Sequence, residues 1–312
     1  RKALPRVEAA GEEIPAIAKS TGFLARWGKE PVVTVELDPP HGLDCAKVLA
    51  GSRALREAGA DAISLAENPL ARVRMGNIAL GSMIRREAGI EVIVHVTCRD
   101  RNLLGLQSEL MGASLLGIRY ILAVTGDPAR LGDQAGASSV FDLNSFGLIK
   151  LISDLNAGVN GQGNPIGGGT GFVIGCAFNP NTPKMEGQVG RLAKKVACGA
   201  SFAQTQPLYD VARLEEMLKL TAPLGIPVLP GILPLVSERN AEFLHNEVPG
   251  ISIPPEVRAR MRGKAGEEGV REGLAIAREF ITQVRDRVGG FYLIPPFGKY
   301  EIAAELIAFI KG

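Results

Sequence analysis

Carboxylates, amides and one imidazole cluster at the ends of short β-branched runs in this 312-residue chain. VVTVEL (32–37) carries Glu36 and is followed by Asp38 and Pro39–Pro40, and AISLA (62–66) presents Ser64 and Ala66, then Glu67 and Asn68–Pro69. VIVHVT (92–97) carries His95 and Thr97 and leads to Cys98 and Arg99; YILAVT (120–125) ends in Thr125, followed by Gly126 and Asp127. SFAQTQ (201–206) supplies Gln204 and Gln206. This set holds no nucleophile–base pair and no metal-ligand spacing. It suits proton transfer beside a bound organic cofactor better than hydrolysis. Glu36 lies in an apolar run, where an unpaired carboxylate is costly, so a function or a buried partner is favoured. Asp127, before Pro128, is balanced between a helix cap and a working carboxylate. By default His95, between two valines, is a satisfied core histidine, Lys195 in AKKVACG a solvated charge, and Cys98 and Cys176 small fillers.

The elements that must position these residues repeat from Pro31 onward as a strand, a few loop residues and an amphipathic helix. Three further apolar runs, FVIGCAF (172–178), IPVLPGIL (226–233) and FYLI (291–294), complete eight. They are too continuous for a one-sided antiparallel sheet and fit parallel strands covered on both faces. Helical stretches are expected at about 44–59, 70–88, 101–118, 146–156, 187–199, 210–222, 237–247, 266–288 and 299–311, with an extra one at 253–263 opened by Pro254–Pro255. Asp44, Asp210 and Ser237 are expected caps at helix starts, and Gly59 a helix stop. Eight such units predict an α/β fold, a (β/α)8 TIM barrel spanning 31–312, whose reactive groups project from the C-terminal strand ends. An open doubly wound sheet is the alternative, but its first strand should be followed by a glycine-rich turn, and here DPPHG follows. The glycine run GVNGQGNPIGGGTG (158–171) follows a helix and precedes a strand, the reverse of a phosphate loop, so it reads as a flexible connection. Residues 1–30 are charged and Pro-interrupted, and read as a leader or linker.

Composition narrows the function classes. A net charge of +2, spread along the chain without a basic stripe, argues against nucleic acid as a main partner. The longest apolar runs are too short to span a bilayer. Four cysteines without a CxxC pair read as reduced thiols of a cytoplasmic protein, and three histidines without ligand spacing make a zinc site improbable.

Taken in order, VTVELDPP, HVTCRDRN, GIRYILAVTGDP, RLAKKVACGASFAQTQPLYD and PVLPGILP resemble the strand-end motifs of methylenetetrahydrofolate reductase, a flavin-dependent barrel enzyme of one-carbon metabolism. Each motif alone is weak, but five in the right order on the expected strands are specific. The resemblance is greatest to the reductase half of bifunctional proteins that also carry a homocysteine methyltransferase domain, so a fusion to or pairing with such a domain, and a homo-oligomer, are expected.

By that resemblance, Glu36 matches the acid that protonates the folate as its five-membered ring opens to an iminium, and Asp127 the carboxylate beside flavin and pterin. Gln206 matches an amide that binds the folate. His95, Gly126, Asp127 and Lys195 match flavin contacts, with Lys195 placed for the phosphates. Ala66, Glu67 and Thr125 fall at further flavin-contact positions with different side chains, Thr125 replacing an arginine. Lys299 stands near the place of a folate-tail contact, although PPFGKYE departs from the family's Asn-Arg segment. The implied cofactor is FAD, with the shorter FMN as the alternative, and NAD(P)H is the implied electron donor. Two other readings compete: a flavin-free barrel that binds or demethylates methyltetrahydrofolate, and a non-catalytic docking module.

Overall fold

The computed structural model describes residues 22–312. Eight parallel strands close into a barrel in sequence order, and β8 pairs back onto β1. They are β1 (Val32–Leu37), β2 (Ala62–Leu65), β3 (Glu91–Thr97), β4 (Tyr120–Val124), β5 (Val173–Phe178), β6 (Phe202–Pro207), β7 (Val228–Ile232) and β8 (Gly290–Leu293). All eight lie on the expected apolar runs. The helices are α1 (Ala46–Ala58), α2 (Asn77–Ala88), α3 (Leu103–Leu115), α4 (Ser145–Asn156), α5 (Met185–Ala197), α6 (Val211–Thr221), α7 (Glu238–Glu247), α8 (Pro255–Met261), α9 (Gly266–Val284) and α10 (Tyr300–Lys311). The barrel expectation holds, and the extra helix is α8, with Pro255 in its first turn.

Local chemistry sets the helix ends. The side chains of Asp210 and Ser237 accept backbone N–H groups at the starts of α6 and α7, and Gly59 closes α1 at φ 103°. Asp44 accepts the Ala46 N–H at 2.9 Å, one residue before the cap position, which Cys45 holds. The helix expected from residue 70 begins only at Asn77. Asn68, Leu70 and Ala71 have positive φ, which no helix accommodates, so the chain after β2 loops over the barrel mouth first.

Two apolar layers follow from the alternation of strand side chains. Outward residues such as Val33, Val35, Ile63 and Val94 pack beneath the helices. Inward residues Val32, Ala62, Ile93, Tyr120, Leu122, Phe202, Leu229 and Tyr292 fill the lower barrel. Gly175 makes room there, since a Cβ at that position would lie 2.3 Å from the Phe202 ring.

The leader boundary moves. Residues 1–21 lie outside the described part, but Gly22–Arg26 forms a 3-10 turn that buries Phe23 and Leu24 against the lower barrel cluster. Arg26 pairs with Oδ1 of the buried Asp61, whose Oδ2 accepts both from Lys311 at 2.9 Å and from the Val33 N–H at 2.6 Å. Residues 22–26 therefore plug the barrel floor rather than lead into it. Their two apolar residues in a row carry no period that a sequence pattern could detect. The glycine run spans the connection between α4 and β5, on the face opposite the C-terminal strand ends, as expected.

Candidate active site

A cavity of about 490 Å³ opens at the C-terminal ends of the strands. Its walls hold Glu36, His95, Asp127 and Gln206, which come from four different strands or strand ends. Ala66, Glu67 and Gly126 also line it. Thr125 is exposed beside it, outside the wall.

Glu36 reaches inward from β1, with its neighbours Val35 and Leu37 packed outward. The Tyr292 hydroxyl on β8 donates to its Oε2. Burial, reinforced by the nearby charge of Asp38, pushes the Glu36 carboxyl up to about 8. It is therefore an acid that keeps its proton at neutral pH, in contrast to a free glutamate near 4.3.

His95 sits one layer over on β3. Its Nε2 lies 2.8 Å from Ser64 Oγ; Ser64 donates to Gln204 Oε1 at 3.3 Å, and Gln204 Nε2 donates to Thr34 Oγ1 at 3.0 Å. This chain crosses the barrel from β3 through β2 and β6 to β1. Burial lowers the imidazole to about 4, so His95 is neutral. The default reading of a satisfied histidine is right for Nε2, but the ring also lines the cavity.

Gln206 owes its position to an irregular register. The pairing of β6 with β7 shifts between Gln204 and Pro207, and Gln204 through Pro207 all face the cavity. Thr205 Oγ1 donates to the Gln206 carbonyl at 2.7 Å and accepts the Gly231 N–H at 2.9 Å, which pins the irregularity.

Arg99 is 2% exposed and fixes the mouth. It donates to Asp100 at 2.6 and 2.7 Å, to the Asn68 carbonyl at 3.2 Å and to the Asp127 carbonyl at 3.3 Å, tying three loops together. Gly126 has φ +88°, and a Cβ on it would lie 2.9 Å from Thr97 Cβ, so only glycine lets the Asp127 turn close over β3. The Asp127 carboxylate itself is exposed at the rim.

Three expected site residues sit differently from the others. Glu67 is buried, accepts the Thr97 N–H at 2.6 Å and pairs with Arg101, so its carboxylate braces β2 against β3. Lys195 lies behind the wall: its Nζ donates to the carbonyl of cavity-lining Ala177 at 2.6 Å, and burial lowers its pKa. Lys299 is brought instead to an outer groove with Arg271, Arg278 and Glu305, away from the cavity. The Lys299 segment turns outward at Phe297, whose φ is +55°, a turn its sequence does not announce. Sequence reasoning missed Tyr292; the signal was the alternation of FYLI, which puts residue 292 on the same inner face as Glu36.

The cavity fits a planar heteroaromatic ring. Leu122, Val124, Ala177 and Ile294 give apolar walls, His95 and Gln206 give hydrogen-bonding edges, and Thr97 Oγ1 is a buried oxygen without a partner. A diphosphate would need Lys195 to leave the Ala177 carbonyl, or another cation. Among the described residues no group of three or more His, Cys, Asp or Glu could hold a metal, all four cysteines are free, and no helix is long and apolar enough to cross a membrane.

The fold and motifs have known counterparts. A solved protein from Clostridium thermocellum, described as binding two copies of 5-methyl-5,6,7,8-tetrahydrofolic acid, superposes with a TM-score of 0.64 over 93% of this chain and 96% of that one, at 15% identity, a likeness of fold alone. Methylenetetrahydrofolate reductase 2 of Schizosaccharomyces pombe is 26% identical over 239 residues, 69% of this chain and 35% of that protein. The 5,10-methylenetetrahydrofolate reductase of Buchnera aphidicola is 25% identical over 228 residues, 70% of each chain. The chain spans 24–35% of the length of the yeast and nematode relatives it matches. The family model described as methylenetetrahydrofolate reductase matches residues 24–294, nearly the whole barrel, and the chain belongs to that family.

Proposed function

We propose that this barrel reduces 5,10-methylenetetrahydrofolate to 5-methyltetrahydrofolate, with a flavin as cofactor and Glu36 as the proton donor. The observation that carries the reading is a carboxyl inside the cavity of a family member, raised to about 8 by burial, on the same wall system as Gln206 and His95. FAD is the expected flavin and FMN the alternative, with NAD(P)H as the electron source. When bound, the flavin supplies hydride transfer; the rest of the chemistry belongs to the chain. Glu36 holds a proton for the folate N10, whose bond to the methylene carbon must break, leaving the iminium on N5, before a hydride can be accepted. Gln206 offers an amide to the pterin edge. Asp127 places negative charge at the rim, where it disfavours extra negative charge on a reduced ring. The apolar walls exclude water from the reacting centre.

A flavin-free barrel that only binds a methylated folate would share the fold and the acidic strand ends, but gives no use to an acid that is protonated at neutral pH. The test is to purify the full chain, identify bound or reconstituted flavin by mass, and follow bleaching by NADH or NADPH and re-oxidation by methylenetetrahydrofolate. Bleaching and folate-dependent return of colour are expected. A protein that takes up neither FAD nor FMN would end the flavin reading.

A further inference from the structure

Tyr292 has no part in the function as set out above, yet it touches the proposed acid. It stands on β8, next to β1 in the closed barrel, and its ring is 5% exposed among the apolar side chains of the lower barrel. Only its hydroxyl rises to the cavity, where it donates to Glu36 Oε2. A phenol hydroxyl carries one hydrogen, and here it is given to that oxygen. Among the described residues that hydroxyl has no second acceptor. A proton placed on Oε2 would compete with the phenolic hydrogen and leave one buried donor unpaired. Oε1 makes no protein hydrogen bond among the described residues and is not among the buried orphan atoms, so it opens to the cavity.

We propose that Tyr292 is a positioning residue that decides which oxygen of Glu36 carries the proton: Oε2 is held as acceptor, and Oε1 bears the hydrogen toward the ligand. The inference rests on the folate reading for its chemistry. In the transfer, the Oε1–H bond breaks and its electron pair stays on Glu36. An N–H bond forms on N10 of the folate, and the N10–methylene bond then breaks with its electron pair staying on N10, to leave the iminium on N5. The new carboxylate keeps the Tyr292 donation, which is stronger to a charged acceptor. The other groups near Glu36 are Asp38, just past the end of β1, and Ser64, its register partner on β2.

The test is infrared spectroscopy of the full chain, reading the C=O stretch of protonated Glu36, assigned by its loss in Glu36→Gln. In Tyr292→Phe the band should move to higher frequency and its pH midpoint should rise, because the anion has lost a donor. The folate half-reaction should slow about tenfold, with flavin reduction changed by less than about twofold. A band that does not move, or a wild-type band already at the frequency of a free carbonyl, overturns the proposal; the second reading needs no variant to fold. If the band moves as expected but the wild type never re-oxidises with folate, the proton placement stands and the folate reading falls.

Discussion

His95 Nε2 lies 2.8 Å from Ser64 Oγ, and the direction of that bond follows from the rest of the chain it belongs to. Gln204 donates its amide to Thr34 and accepts the Ser64 hydroxyl hydrogen. Ser64 has one hydrogen to give, so it must accept from His95. Nε2 then carries the proton and Nδ1 is left as an acceptor. Turning the Gln204 amide end for end would reverse every bond. Nitrogen NMR on labelled histidine should find His95 as the Nε2–H tautomer, and Ser64→Ala should give a mixture. A wild-type ring protonated on Nδ1 would reverse the assignment.

Lys195 stands between two roles. Its ammonium braces β5 through the Ala177 carbonyl, and under the proposed flavin reading it would leave that carbonyl to pair with a phosphate. Lys195→Ala should weaken flavin retention by about ten- to a hundredfold, the equivalent of roughly 1.5–3 kcal/mol for a hydrogen bond to a charged group. Fluorescence titration measures it. Unchanged affinity together with a lowered melting temperature would leave Lys195 as a brace only.

Two buried groups should shape stability against pH, with opposite signs. The imidazole of His95, lowered to about 4, resists protonation in the fold, so its stabilising contribution is present above about 6.5 and is lost as pH falls toward 4. Glu36, raised to about 8, holds a proton in the fold that the unfolded chain releases near 4.5. Its contribution is therefore full below 4.5 and lost as pH rises to about 8. Of these two, Glu36 alone still acts between 6.5 and 8, and urea denaturation should show its contribution lowering stability there by an order of 1 kcal/mol. Glu36→Gln should flatten that limb; an unchanged slope would assign it to other groups.

The sequence carried the barrel because eight apolar runs and their intervening helices each have a clear period. It carried Glu36, His95, Asp127 and Gln206 because strand ends are where a barrel displays its chemistry, and family motifs fell on them. It was less informative where long side chains choose among several partners. Glu67 turned to Arg101 and a backbone N–H, Lys195 to a carbonyl, and Lys299 to the outer surface; none of these choices is written in spacing. The Tyr292–Glu36 contact joins residues 256 positions apart, and only closure of β8 onto β1 brings them together. The plug at residues 22–26 was hidden for a related reason: Phe23 and Leu24 matter through the barrel floor they meet.

Rapid-mixing kinetics of Glu36→Gln on the two half-reactions tests the central claim most directly. The amide keeps the shape and can still accept from Tyr292, but it has no acidic proton. Flavin binding and its reduction by NAD(P)H should stay within a few-fold of the parent, while re-oxidation by methylenetetrahydrofolate should fall by roughly 10²–10⁴-fold, the scale for losing a positioned general acid. A folate rate within a few-fold of the parent, or equal losses in both half-reactions, would contradict Glu36 as the acid.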